Sequence, residues 1–258
     1  EISKKITTNV GRTNSQFGLI KENDRIMIGF SGAKDSLTLL HTLNRMQKKA
    51  PFKFDFKAVT ITYGMGEQIE FLSNHCKEHG IEHEIIDTQI FDLAGEKIRK
   101  NSSFCSFFSR MRRGYLYTTA LEQGYNKVAL GHHLDDAMES YFMNLFYNGT
   151  MRTMPPIYKA SNGLEVIRPL IFCRERQLRA FADSNEIRVI GDEACPGLRF
   201  DVKMPHARAA KKELLAKLEE QNPKIFVSMK AAFSNIQLPT FFYKDLKDIK
   251  LNIEDETI

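Results

Sequence analysis

Two short clusters in this sequence carry the side chains best suited to chemistry, and they lie about a hundred residues apart. Ser31-Gly32-Ala33-Lys34-Asp35-Ser36 brings hydroxyls, a glycine, a cation and a carboxylate together. The small residues Gly32 and Ala33 let an anion approach the backbone, Ser31 and Ser36 offer hydroxyl donors, and Lys34 adds positive charge. Asp35 is a poor phosphate contact but a sound Mg2+ ligand, because hard cations take carboxylate oxygen. The spacing fits neither the Walker loop nor the GxGxxG fingerprint. The second cluster is Gly131-His132-His133-Leu134-Asp135-Asp136. Adjacent carboxylates beside two imidazoles could hold Mg2+ or orient a nucleophile. A plain helix start would account for the acids, which the helix dipole favours, but not for the histidine pair.

A third segment couples a thiol to positive charge. Lys100, Arg110, Arg112 and Arg113 surround Cys105 in the sequence. Basic neighbours lower a thiol's pKa and favour the nucleophilic or metal-binding thiolate. Arg110 and Arg113 equally suit the phosphates of an RNA backbone. The remaining cysteines, Cys76, Cys173 and Cys195, are widely scattered, which suggests reduced thiols of a cytoplasmic protein rather than a disulfide framework. Cys76 shares a helical face with Ile69 and Leu72 and is expected in the core.

These clusters need elements to hold them. The apolar run 25–30 predicts a buried strand, and leucines at helical spacing predict a helix over 35–49. Strands are expected over 54–63, 82–86, 127–130 and 164–171, with helices over 67–79, 106–122 and 135–146 between them. Such alternation implies an α/β fold, a doubly wound and mostly parallel sheet with helices on both faces. Both polar clusters then fall at carboxyl ends of strands beside helix N-termini, where open α/β sheets bind ligands. Residues 1–24 are expected as an N-terminal arm or helix, 25–200 as the α/β domain, and 201–258 as a helical extension. The chain has 258 residues, 42% of them hydrophobic and 27% charged, with a net charge of +5. Such a balance excludes a disordered or collagenous protein and permits nucleic-acid binding without arguing for it. No apolar run approaches the roughly 20 residues of a membrane span, and the first residues carry no apolar signal region, which points away from secretion.

Ser31 to Ser36 resembles the PP-loop of ATP pyrophosphatases, usually Ser-Gly-Gly-x-Asp-Ser, with Ala33 in place of the second glycine. Were that position to need φ > 0, alanine would cost about 1 kcal/mol. The 131–136 cluster, the run 141–147, Met151 to Pro156, Ile167 to Leu170, Cys173-Arg174-Glu175 and Phe181-Ala182-Asp183 together are similar to the tRNA 2-thiocytidine synthetase family. The likeness runs from about residue 20 to about 240. It implies binding of ATP and Mg2+, adenylation of the C2 oxygen of an anticodon-loop cytidine in tRNA, and displacement of AMP by sulfur. By the same resemblance Gly131 and His132 join Ser31 to Ser36 in nucleotide binding. Asp35 or Asp136 holds Mg2+, and Asp135, Asp136 and Arg112 support the attack. A sulfur donor protein or sulfide is implied as a partner, and family members are often homodimers.

That family carries two Cys-x-x-Cys pairs, three of whose thiolates hold a 4Fe–4S cluster. Here Cys105 and Cys195 match the first members of the pairs, while Phe108 and Leu198 replace the second members. Neither replacement ligates iron, so two of three cluster thiolates remain and a persulfide–disulfide exchange between Cys105 and Cys195 is the favoured reading. Two rivals stand beside a thiolase. One is another PP-loop enzyme, an amide ligase or a desulfurase, which should tolerate loss of Cys105. The other is an inactive ATP- or RNA-binding relative, which should release no pyrophosphate.

Overall fold

The computed structural model describes residues 2–97, 104–191, 196 and 206–241, without the side chains of 95–97, 104–106, 206–209, 211 and 239. Their contacts group the chain into two compact units, 1–213 and 214–258. The first unit opens with α1 (Lys4–Phe17), capped by the Ser3 hydroxyl and ended by Gly18 in the left-handed region. There follow β1 (Arg25–Gly29), α2 (Lys34–Lys49), β2 (Asp55–Ile61), α3 (Glu70–Glu78), β3 (His83–Ile86), α4 (Ile90–Lys97) and α5 (Phe104–Glu122). Next come β4 (Lys127–Ala129), α6 (Leu134–Tyr147), β5 (Ile157–Lys159), β6 (Glu165–Ile167) and α7 (Glu175–Ser184). A further helix, α8 (His206–Gln221), straddles the boundary between units, and α9 (Ile225–Ala232) belongs to the second, where Phe226 is buried.

The strands form one sheet in the order β3-β2-β1-β4-β6-β5, parallel except for the antiparallel edge pair β5–β6. The strand order reverses at β1, which pairs with β2 on one side and β4 on the other. At that switch point a crevice opens beyond the carboxyl ends of the strands. Parallel strands are buried on both faces, and the two cores follow from alternation along them. Ile26 and Ile28 pack toward Ile6, Leu37, Leu40, Leu72 and Leu178 on the α1, α2, α3 and α7 side. Met27 faces Ile90, Leu116 and Ala120 on the α4 and α5 side. Fully buried Lys127 anchors the amino end of β4, its Nζ donating to the Leu19 carbonyl at 2.7 Å and pairing with Asp24 at 3.0 Å and Glu165 at 3.1 Å.

Several expected boundaries shift for visible reasons. The strand expected over 164–171 is limited to Glu165–Ile167, because Arg168 donates its amide to Pro156 and Ile171 closes a turn onto Arg168. The helix expected from residue 67 begins at Glu70, since the Glu67 carboxylate instead accepts from the amides of Tyr63 and Met65 in the preceding loop. The expected arm or helix before residue 25 is a helix. Helices α4 and α7 and strand β5 are additions to the expected elements.

Candidate nucleotide site

The phosphate loop is closed on itself by its hydroxyls. Ser36 Oγ donates to the Ala33 carbonyl at 3.0 Å and accepts from the Ser31 amide at 3.2 Å, and the two serine hydroxyls lie 3.1 Å apart. Residue 33 is the N-cap of α2, yet no side chain caps the helix, so its first-turn amides are left for an external acceptor. Ala33 sits at φ −71°, ψ 157°, an extended conformation any residue adopts. The conformational cost anticipated for alanine there does not arise. The left-handed residue is Gly32, at φ +79°, where an added Cβ would meet Ile190 Cδ1 at 2.7 Å.

The second cluster presses against the first. A Cβ on Gly131 would stand 3.0 Å from the carbonyl carbon of Asp35 and 3.1 Å from the Ser36 nitrogen, so the two loops meet at a boundary where even a methyl group is tight. His133 caps α6, its Nδ1 accepting from the Asp136 amide at 3.4 Å while Asp136 Oδ2 accepts from the His133 amide at 3.0 Å. The Nε2 of the same ring lies 3.4 Å from Asp136 Oδ2 and 3.8 Å from Asp35 Oδ2. One imidazole therefore spans two carboxylates that the sequence holds a hundred residues apart. Asp35 Oδ1 is buried without a hydrogen-bond partner, its nearest charge being the Lys34 ammonium at 3.2 Å. Burial raises the Asp35 carboxyl above its ordinary range, with the Asp136 charge adding to it and His133 and Lys34 opposing. A buried oxygen without a hydrogen bond, next to a second carboxylate, is the donor set a hard divalent cation fits.

A cavity of about 370 Å3 lies over these loops. Ser31, Ala33, Asp35 and Ser36 line it from the first cluster, Gly131, His132 and Asp136 from the second, and Ser109, Arg112 and Arg113 from α5. Expected site residues from three separate segments thus meet at the β1/β4 switch point. Four other expected residues with described side chains or backbone do not line it, Gly32 among them. Lys34 turns to Asp35 and, at 3.2 Å, to Glu175. Asp135, expected beside Asp136 in catalysis, is instead occupied by the Arg174 guanidinium at 3.1 Å and the Glu175 amide at 2.7 Å, which fixes α7 to α6. Arg110 is exposed on α5 outside the cavity. Cys105 lies in the first turn of α5, its side chain outside the described atoms, and Cys195 and Leu198 lie outside the described residues. Phe108 is 2% exposed and packs edge-on against Tyr63 and Phe107, a core position that supplies no ligand. The thiols of Cys76 and Cys173 are buried, and burial pushes each up to about 12.

Two contributors were not apparent from the sequence. Arg168 donates from Nε to His132 Nδ1 at 3.3 Å and from Nη1 to the Pro155 carbonyl at 2.7 Å. Burial carries His132 down to about 4, with the Arg168 charge adding and Asp136 opposing. The ring is therefore neutral, and since Nδ1 accepts, its proton sits on Nε2 as a donor. Tyr63 lies beneath Arg112, which donates to its hydroxyl at 2.9 Å and stacks 4.9 Å above its ring. Only their distant elements place these residues here, although the resemblance did include Arg168 in a matching stretch. A second hollow, of about 890 Å3, lies over the ends of β2 and β3 but is lined by acids such as Glu67, Glu70, Asp87 and Asp92. Carboxylates without lining cations make it a poor anion site.

Comparison with known proteins agrees with this arrangement. Residues 3–203 match the model of the PP-loop domain. The chain is 43% identical to the tRNA-cytidine(32) 2-sulfurtransferase of Geobacter metallireducens, over 91% of this chain and 90% of that protein. It is 36% identical to the protein of the same name from Pseudomonas syringae, over 100% and 93% of the two chains. Among solved structures, a U34-tRNA thiolase from Methanococcus maripaludis with its 4Fe–4S cluster superposes with a TM-score of 0.71 at 23% identity, covering 90% of this chain and 77% of that one. That likeness shows the fold.

Proposed function

Because this chain belongs to the PP-loop family, alongside the tRNA-cytidine(32) 2-sulfurtransferases, we propose that it replaces the C2 oxygen of an anticodon-loop cytidine in tRNA with sulfur at the expense of ATP. The observation that carries the reading is the convergence of the open α2 amides, Asp35, Asp136, His132 and Arg112 on one cavity. The triphosphate lies against the first turn of α2; Asp35 and Asp136 are the residues that would hold Mg2+, which would supply charge to assist departure of pyrophosphate. His132 donates from Nε2, and Arg112, held by Tyr63, sets a permanent cation where negative charge develops on the α-phosphate. Attack by the C2 oxygen on that phosphorus forms the adenylate and expels pyrophosphate, a step accelerated chiefly by positioning and charge.

Sulfur then enters from α5. Ser109, Arg112 and Leu116 line the cavity at helical spacing, and position 105 lies one turn before Ser109 along that stripe. A persulfide on Cys105, loaded by a donor protein that itself carries sulfane sulfur, attacks C2 with its terminal sulfur and AMP departs. Cys195 thiolate attacks Cys105 Sγ, the S–S bond breaks onto the base, and a Cys105–Cys195 disulfide is left for an external thiol to reduce. The residues present do not fit the three-thiolate cluster of the resembled family, since Phe108 is committed to the core. Arg110 and Arg113, both exposed, are the RNA contacts. Among the described residues no helix is long and apolar enough to cross a membrane.

Asp136→Asn tests the ATP half of the reading, because the amide still accepts the capping bond from His133 while the metal charge is lost. Conversion of ATP to AMP in the presence of tRNA is expected to disappear with the fold intact by circular dichroism, and undiminished turnover rejects the assignment. Mass spectrometry of tRNA from cells lacking the protein reads the product.

A further inference from the structure

Two turns along α2 from the phosphate loop, three histidines converge that the reaction does not use. His41 lies seven residues, roughly 10 Å, down α2 from Lys34. His75 and His79 stand four apart at the end of α3, so both project over one face, the spacing by which a helix offers two imidazoles to one zinc ion. The Nε2 atoms of His41 and His75 are 2.8 Å apart, and one ligand nitrogen from each of the three rings lies within 4.8 Å of the others. His79 Nδ1 faces the His75 carbonyl at 2.8 Å. A carbonyl only accepts, so the His79 proton is on Nδ1 and the lone pair of the neutral ring is on Nε2. The backbone carbonyl thus fixes the tautomer a metal requires, the role such partners play in zinc sites. Among the described residues no carboxylate pairs with any of the three rings, and no other trio of His, Cys, Asp or Glu converges in this way.

We propose that His41, His75 and His79 bind a divalent zinc ion, with its fourth position open to the adjoining cavity. That cavity, of about 590 Å3, is lined by the three histidines together with Arg45, Lys48 and Glu78, and His79 is exposed, which gives an ion a way in. A tetrahedral ion with Zn–N bonds of about 2.1 Å sets its ligand nitrogens about 3.4 Å apart. His41 and His75 must part by about 0.6 Å from 2.8 Å while the exposed His79 swings inward, changes on the scale of side-chain rotation. Neutral imidazole suits zinc, and three protein ligands with one open position is the arrangement that admits water or an anion. Bound there, the ion ties α3 to the helix whose first turn forms the phosphate loop.

Titration of the full-length, reduced chain with Co2+, followed by displacement with Zn2+, tests the site. One equivalent of Co2+ is expected to produce the visible d–d bands of a four-coordinate ion without near-ultraviolet sulfur charge transfer, and Zn2+ is expected to abolish them. His79→Gln alters an exposed side chain and leaves the half-buried pair in place. It is expected to weaken Co2+ and Zn2+ binding at least about tenfold, since even outer partners of a metal ligand are worth that much. Absence of the bands in the wild-type chain overturns the proposal. So does binding that persists undiminished in His79→Gln, including binding carried by sulfur charge transfer, which would place the ion at thiols instead.

Discussion

Replacing Gly131 with alanine should expose how tightly the two site loops are joined. The added Cβ would stand 3.0 Å from Asp35 C, 3.1 Å from Asp35 O and 3.1 Å from Ser36 N, against 3.4–4 Å for an ordinary contact. All three neighbours are backbone atoms in the first turn of α2, so relief requires the phosphate loop itself to move by a few tenths of an ångström. Overpacking of this kind costs about 1–3 kcal/mol. For a chain of this size that lowers Tm by roughly 2–12 °C. A misplacement of 1 Å costs on the order of 100-fold in rate, so one of 0.3–0.5 Å should slow ATP-to-AMP turnover roughly four- to tenfold. The control is Gly114→Ala on α5, where a Cβ meets nothing within 4 Å and alanine should stabilise the helix by about 0.5–1 kcal/mol. Differential scanning calorimetry and a pyrophosphate-release assay with tRNA measure both. Wild-type Tm and turnover in Gly131→Ala would falsify the claim that the loops are packed backbone to backbone.

Ala33→Gly, which restores the usual PP-loop glycine, should not raise turnover, and its looser unfolded chain should cost about 0.4–1 kcal/mol in urea denaturation; a severalfold gain in rate would contradict the extended backbone at residue 33. Arg112→Ala should lower turnover about 100- to 1,000-fold with little change in Tm, and Tyr63→Phe less, by removing one hydrogen bond to Arg112. His83, hydrogen-bonded to Thr60 Oγ1 at 2.8 Å, is carried down to about 4 by burial. Its unfolded form takes up a proton below about 6.5 and its folded form only near 4, so stability should fall as pH drops through that window. The gap between urea midpoints at pH 7 and 5 should narrow in His83→Gln, with His132 sustaining part of it. Phe108→Cys should lose about 3 kcal/mol and roughly 6–12 °C in Tm without gaining iron in anaerobic iron and sulfide counts.

The sheet was legible because its strands are apolar runs with turn signals between them, and the first helix of the site was legible from its leucine spacing. Short elements were not. Strand β5 has three residues, too few for any period to register, and α7 has Arg174 as its N-cap, a residue type outside the usual N-cap chemistry. In the site, sequence could not separate Asp135 from Asp136, since neighbours on a helix look alike until their partners are known. Arg174, 39 residues away, takes one of them, while His133 takes the other. The conformation of Ala33 was equally hidden, because a tight turn can take its left-handed residue at either 32 or 33. Tyr63 and Arg168 enter from strand ends that nothing in their local sequence connects to the loops.

Phe108 has a consequence for how such a protein changes over time. Its ring is clasped by Tyr63, Phe91 and Phe107, and Tyr63 in turn supports Arg112. A thiol at that position would leave a hollow under the very tyrosine that steadies the cavity's cation. Exchange between ring and thiol at 108 therefore behaves as a ratchet. Once neighbouring rings have closed around the phenylalanine, a single reversal passes through a weakened protein with a loosened arginine, and only concerted repacking of the aromatic nest reopens the way back.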